Sequence, residues 1–206
     1  MARFLLKIIF MLFQNNFNFD NCIGRQTLLY GETNTGKTYY TAKFIDFLLD
    51  SNRFDPKEIS ILDFAPKFLD VNGIKIGGKI LDFSKKSAEC NYLSLNGEII
   101  APRLNSNNKQ ELFKNICHNY KITTQMLELY NKQQTKVLIM NDISIYLHLG
   151  DKKFLINTIN NAPTFFGNSY YGIKIKKSFS TLLSLKEKKR VDFLINHIQN
   201  SILTSK

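Results

Sequence analysis

Gly31-Glu32-Thr33-Asn34-Thr35-Gly36-Lys37-Thr38 sets two glycines, a lysine and a hydroxyl in the order that a polyphosphate requires. Backbone N–H groups can wrap an anion only where no Cβ obstructs the turn, and Gly31 and Gly36 meet that condition. Lys37 supplies a point charge for the outer phosphates, and Thr38 offers a hydroxyl to Mg²⁺. A helix that starts here aims its positive end at the same anion. The expected binding set is Gly31, Thr33, Asn34, Thr35, Gly36, Lys37, Thr38 and Tyr39.

These residues need a strand before them and a helix after them. Thr27 to Tyr30 reads as a short buried strand. Thr41 to Leu49 reads as a helix, with Ala42, Ile45 and Leu49 on one face, joined by Phe44 and Leu48. Strand, glycine loop and helix together resemble the P-loop NTPase superfamily, which implies ATP and Mg²⁺ as ligands and Lys37 as a catalytic charge.

A second stretch, "KVLIMNDIS", carries four apolar residues, Val137 to Met140, as a buried parallel strand that ends in Asn141-Asp142. It resembles the Walker B element, whose carboxylate holds Mg²⁺. Many family members with an extra strand between the two elements follow that carboxylate with a glutamate, whereas here Ile143 follows Asp142. Two registers are open. In the preferred one Asp142 joins Thr38 at the metal, because Mg²⁺ favours an anionic ligand over an amide; in the other, Asn141 takes the metal side and Asp142 the place of the base. If Asp142 serves the metal, the base falls to Glu32 or Asp63, each of which has a plainer alternative as a solvent-facing or turn-capping residue. The resemblance covers about residues 25 to 145. It is nearest to the additional-strand class, which includes recombinase-like motors and DNA pumps.

Strands and helices alternate along the rest of the chain. Glu58 to Phe64 reads as a strand ending at Asp63. Asn72-Gly73 and Gly77-Gly78 are turn signals among Ile74, Ile76 and Ile80. Asn96-Gly97, between Tyr92–Leu95 and Glu98–Ala101, reads as a hairpin. Helices are expected from Asn107 to Asn131, from near Asp151, and from Leu182 to Ile202. "PTFFGNSYYG" between the last two reads as an aromatic loop that either stacks on a base or anchors to the surface. The expected fold is a three-layer α/β sandwich with a mostly parallel central sheet. Residues 1–24 form an apolar leading segment. Residues 25–206 form one nucleotide-binding domain with a basic helical extension from about 174.

The chain has 206 residues and is 44% hydrophobic, enough to bury a core as one domain. Cys22, Cys90 and Cys117 are odd in number and far apart, which argues for a reducing, cytoplasmic setting without a disulfide framework or zinc site. His118, His148 and His197 are equally scattered. Met1 to Phe13 is apolar but too short to span a bilayer, and Lys7 interrupts it. It is expected to serve as a core or docking element, with membrane association or an upstream start error as alternatives.

The formal net charge is +11. Much of it lies in Lys174, Lys176, Lys177, Lys186, Lys188, Lys189 and Arg190, with Glu187 the only acid in that run. Such a run is either a solvated face or a surface for nucleic acid, an acidic protein or a neighbouring subunit's nucleotide. Arg190 and Arg103 are candidate arginine fingers. The function expected is ATP binding with slow Mg²⁺-dependent hydrolysis. The alternatives are a kinase or small-molecule transferase in which residues 67 to 106 close over an acceptor, and a nucleotide-regulated nucleic-acid-binding module.

Overall fold

The computed structural model describes residues 17–71, 74–95, 97–173, 175 and 178–205. Six strands form the main sheet: β1 (Gln26–Gly31), β2 (Ile59–Asp63), β5 (Asn91–Leu93), β6 (Val137–Asn141), β7 (Thr164–Tyr170) and β8 (Asn200–Thr204). Their spatial order is β5-β2-β6-β7-β1-β8, and every neighbouring pair is parallel. A separate antiparallel pair, β3 (Leu69–Val71) and β4 (Ile74–Ile76), follows β2. The helices are α1 (Lys37–Asp50), α2 (Lys109–Lys132), a single turn α3 (Ser144–Leu147), α4 (Lys152–Asn160) and α5 (Thr181–His197).

Parallel strands must be covered on both faces, and successive side chains point to opposite sides. Leu29, Val137, Ile139 and Phe166 face α1, where they meet Phe44, Ile45 and Leu48. Leu28, Leu138, Met140 and Phe165 face the other layer, built by Leu127 and Tyr130 of α2, Leu155 and Ile159 of α4, and Val191 and Leu194 of α5. The result is the expected three-layer α/β sandwich. Asn108 caps α2 by accepting Glu111 N, and Asp151 caps α4 by accepting the backbone N–H groups of Lys153 and Phe154.

Three expectations about single segments are corrected. Thr164–Tyr170 of "PTFFGNSYYG" form the interior strand β7, between β6 and β1, with Phe165 and Phe166 fully buried and unavailable to stack on a base, while Tyr170 and Tyr171 are partly exposed. Among the described residues of 92–101 no hairpin pairing is present: β5 runs parallel to β2, and Glu98 to Ala101 are not strand. Asn96 lies outside the described residues. The last helix stops at His197, the backbone turns extended at Ile198, and Ile202 belongs to β8, which covers the free edge of β1. The segment Met1–Phe13 also lies outside the described residues, and among those described no helix is long and apolar enough to cross a membrane. Phe17 and Phe19 pack against Tyr40, Phe44, Phe47 and Phe166 on the α1 face.

Candidate functional site

The loop between β1 and α1 leaves the sheet at the carboxyl ends of its strands, where open α/β sheets place their ligands. Gly31 has φ +149°, and a Cβ there would collide with the Thr204 carbonyl of β8. Gly36, the residue that starts α1, has φ +81° in the left-handed region. Asn34 is also left-handed, with φ +58°. Backbone turned in this way gathers N–H groups toward one point. The loop is braced from β8, where Thr204 Oγ1 lies 2.7 Å from Thr35 Oγ1.

Lys37 lies within the loop it follows. Its Nζ donates to the Gly31 carbonyl at 3.0 Å, to the Glu32 carbonyl, and to Thr35 Oγ1 at 3.3 Å. Burial lowers its pKa to about 8, against the opposing pull of the Asp142 and Glu32 carboxylates. The loop residues Thr33 to Tyr39 line a cavity of about 440 Å³ together with Ala65, Phe68, Gly77, Phe83, Asp142, Asn168, Tyr170 and Ile175. Among these described lining residues Lys37 is the only cation.

The end of β6 meets this loop through Asn141. Thr38 Oγ1 donates to Asn141 Oδ1 at 3.1 Å. Asn168 of β7 donates to the same oxygen at 2.8 Å and to Thr41 Oγ1 at 2.9 Å. In turn the Asn141 amide donates to Asp63 Oδ1 at 2.8 Å and to the Gly78 carbonyl at 3.2 Å. In the structure it is Asn141, not Asp142, that is bonded to Thr38. Asp142 follows in the left-handed region, φ +55°, with its N–H on Asn168 Oδ1. Its carboxylate accepts Ser144 Oγ at 2.7 Å and lines the same cavity as Lys37. Burial raises its pKa, opposed by the Ser144 hydroxyl and the Lys37 charge.

The two other carboxylates proposed as bases are occupied. Asp63 is buried and accepts Ala65 N (3.2 Å), Ile80 N (2.7 Å), Asn141 Nδ2 and the Tyr92 hydroxyl, so both oxygens hold structure together. Glu32 accepts the backbone N–H of Ile173 and, at 3.3 Å, that of Thr33, and so ties the loop to the chain leaving β7.

Both candidate finger arginines are likewise engaged. Arg103 forms a buried, two-pronged pair with Glu187, whose other contact is His148 Nε2 at 3.1 Å. Burial pushes the Glu187 carboxyl up, but His148 and Arg103 outweigh it and hold its pKa below the usual range. Arg190 donates to the Leu147 and His148 carbonyls at 2.6 and 2.7 Å, at the end of α3. Because Glu187 points inward, Lys186, Lys188 and Lys189 are left exposed on α5. Lys174, Lys176 and Lys177 lie outside the described residues.

Asn168 and Thr204 were missed from sequence. Asn168 lay inside what read as an aromatic loop, and Thr204 beyond what read as the last helix.

A parallel sheet, a glycine loop closing β1 and a helix growing out of that loop give an α/β fold consistent with that of a P-loop NTPase. No protein-family model matches the chain, and no curated protein matches it in sequence. Among solved structures, the crystal structure of Pif1 helicase from Candida albicans is similar over 89% of this chain and 36% of that one, with 16% identity and a TM-score of 0.37. The chain thus spans little more than a third of that helicase's length.

Proposed function

We propose that this chain is a magnesium-dependent nucleoside triphosphatase of the additional-strand class, hydrolysing ATP to ADP and phosphate slowly when alone. One observation carries the reading: Thr38 is bonded to Asn141 at the end of β6, next to a partly buried Asp142 that shares a cavity with Lys37. The class assignment is supported by β7, which lies between the loop-bearing β1 and β6.

The residues fit a polyphosphate and its metal. Asn34 and Gly36 hold the left-handed conformation that lets a loop present N–H groups to an anion, and the Lys37 cation lies within the loop. Thr38 gives its proton to Asn141 and so keeps its lone pairs for a cation. Mg²⁺ is commonly held by one or two protein oxygens and the phosphates themselves, and Thr38 Oγ1 and Asn141 Oδ1 are the oxygens that meet at this point. Bound there, Mg²⁺ would neutralise charge on the outer phosphates. Lys37 adds a second positive charge. Asp142, with its raised pKa, takes the proton of the attacking water. Since Arg103 and Arg190 are engaged elsewhere, the remaining transition-state charge calls for a cation from a partner, which accounts for slow turnover alone.

The test is phosphate release from ATP with Mg²⁺ or with EDTA, by the wild type and by Lys37→Ala. Slow, magnesium-dependent release that Lys37→Ala abolishes is the expected result. Equal release by both proteins would remove the reading.

A second activity is favoured by the outward lysines of α5. With Glu187 turned inward, Lys186, Lys188 and Lys189 form a basic surface suited to nucleic-acid phosphates.

A further inference from the structure

The cavity has two chemically different ends. One is the glycine loop with Lys37. At the other, Phe68 and Phe83 meet with ring centroids 5.8 Å apart, and Phe83 meets Tyr39, the residue next to Thr38, at 6.3 Å. Phe68 is 45% exposed and Phe83 37%. Their placement is built into the backbone. Phe68 lies over Gly78, where a Cβ would come within 2.7 Å of the ring, and Gly78 has φ +116°. The Gly78 N–H is fixed on the Pro66 carbonyl at 2.9 Å, and its carbonyl accepts the Asn141 amide. The aromatic end is thereby tied to the strand end that meets Thr38.

We infer that Phe68, Phe83 and Tyr39 form a stacking shelf for the base of a nucleoside triphosphate, and that this shelf accepts purines without distinguishing them. A cavity of about 440 Å³ is within the range of small-ligand pockets. A nucleoside triphosphate has the two ends that the cavity has: an anionic chain for the loop and a flat π-surface for the rings. Every base offers a π-face, so stacking is tolerant of base identity. Of the described residues at that end, Ala65, Phe68, Gly77 and Phe83 carry no side-chain donor or acceptor, and the Tyr39 hydroxyl, which can both donate and accept, suits either purine edge. The shelf rests on the phosphate-site reading above and adds to it which part of the ligand sets affinity beyond the phosphates.

Calorimetric titration with ATP, GTP and inorganic tripolyphosphate separates the two. In the wild type, ATP and GTP should bind with similar affinity, and both more tightly than tripolyphosphate. Phe83→Ala and Phe68→Ala should each weaken ATP and GTP by roughly 5- to 150-fold while tripolyphosphate is unchanged. Phe83→Leu keeps the apolar bulk without the ring and should lose affinity nearly as far. Circular dichroism confirms that each variant is folded; the half-exposed positions of both rings make that the expected outcome.

Unchanged ATP affinity in both alanine variants, or full affinity in Phe83→Leu, would overturn the shelf. So would an equal loss of tripolyphosphate binding, because the variants would then be acting on the loop. A preference between ATP and GTP above about tenfold would overturn its purine tolerance. A wild-type protein that binds tripolyphosphate as tightly as ATP refutes the shelf and leaves the phosphate site standing. One that binds none of the three refutes both.

Discussion

Asn141 joins two strands and the glycine loop at once: its amide donates to Asp63 on β2 at 2.8 Å, while its carbonyl accepts Thr38 at 3.1 Å. This relation accounts for an amide at position 141. Asp63 is buried and already presents an oxygen to that point, and a second carboxylate would face it without a proton between them.

Asn141→Asp should therefore destabilise the fold, by about 3–5 kcal/mol, the order seen when a buried charge is left uncompensated. Exchanging the pair, Asp63→Asn with Asn141→Asp, should recover about half of the loss, since the Ala65 N–H and Gly78 carbonyl remain mismatched. Urea unfolding of the two single variants and the double reads both quantities. A double variant no more stable than Asn141→Asp would mean that the contact is not what fixes residue 141.

Lys37 gives a pH signature. With its pKa near 8, it is charged at pH 7 and about nine-tenths neutral at pH 9. Polyphosphate raises that pKa, so binding at pH 8.5 should take up a proton. The sign follows: nucleotide affinity is full below pH 8 and falls as pH rises, by about tenfold at pH 9. Calorimetry in buffers of different ionisation enthalpy measures the proton. No uptake at pH 8.5 would place the Lys37 pKa well above 8.

Asp142 and Asn141 should separate cleanly by kinetics. Asp142→Asn should lower kcat by about 10²- to 10⁴-fold, with ATP affinity and the magnesium midpoint little changed. Asn141→Ala should shift the magnesium midpoint upward, because Thr38 loses the acceptor that orients it. In the wild type the rate should fall with decreasing pH as Asp142 protonates, and at a pH above the ordinary carboxylate range because burial raises its pKa. A shifted magnesium midpoint in Asp142→Asn would restore Asp142 to the metal.

What could be read from sequence follows from the range of the forces involved. The glycine loop, β1, α1 and β6 are specified by local pattern, and they were legible. β7 was not, because Pro163 before it and Gly167 within it are the usual marks of a loop. Only burial between β6 and β1, a tertiary fact, makes that segment a strand. β8 was hidden because Ile198 and Ile202 are four apart and suit a helix as well as a turn followed by a strand. Asn96-Gly97 signals a hairpin locally, but β5 finds its partner in β2, some thirty residues earlier. The order of Asn141 and Asp142 was argued from metal preference alone. The bond from Asn141 to Asp63, made across strands distant in sequence, was not legible there.

The basic face of α5 yields the last prediction. Arg190 is committed to the Leu147 and His148 carbonyls, so the exposed lysines of α5 are Lys186, Lys188 and Lys189, with Lys188 Nζ 5.1 Å from the Tyr171 ring centroid. If the three contact duplex DNA, log K against log[salt] should have a slope of about −3, since each neutralised phosphate releases close to one counterion. Changing all three to glutamate should flatten that slope and leave basal ATP hydrolysis intact, because none of them lines the cavity. Arg190→Glu should behave differently: it removes the cap of α3, next to Asp142, and should lower both stability and turnover. If the triple lysine variant instead lowers hydrolysis and makes it less dependent on protein concentration, the lysines serve a neighbouring subunit's nucleotide. If neither the salt slope nor hydrolysis moves, the three lysines are a solvated face, and the source of any partner cation lies elsewhere on the chain.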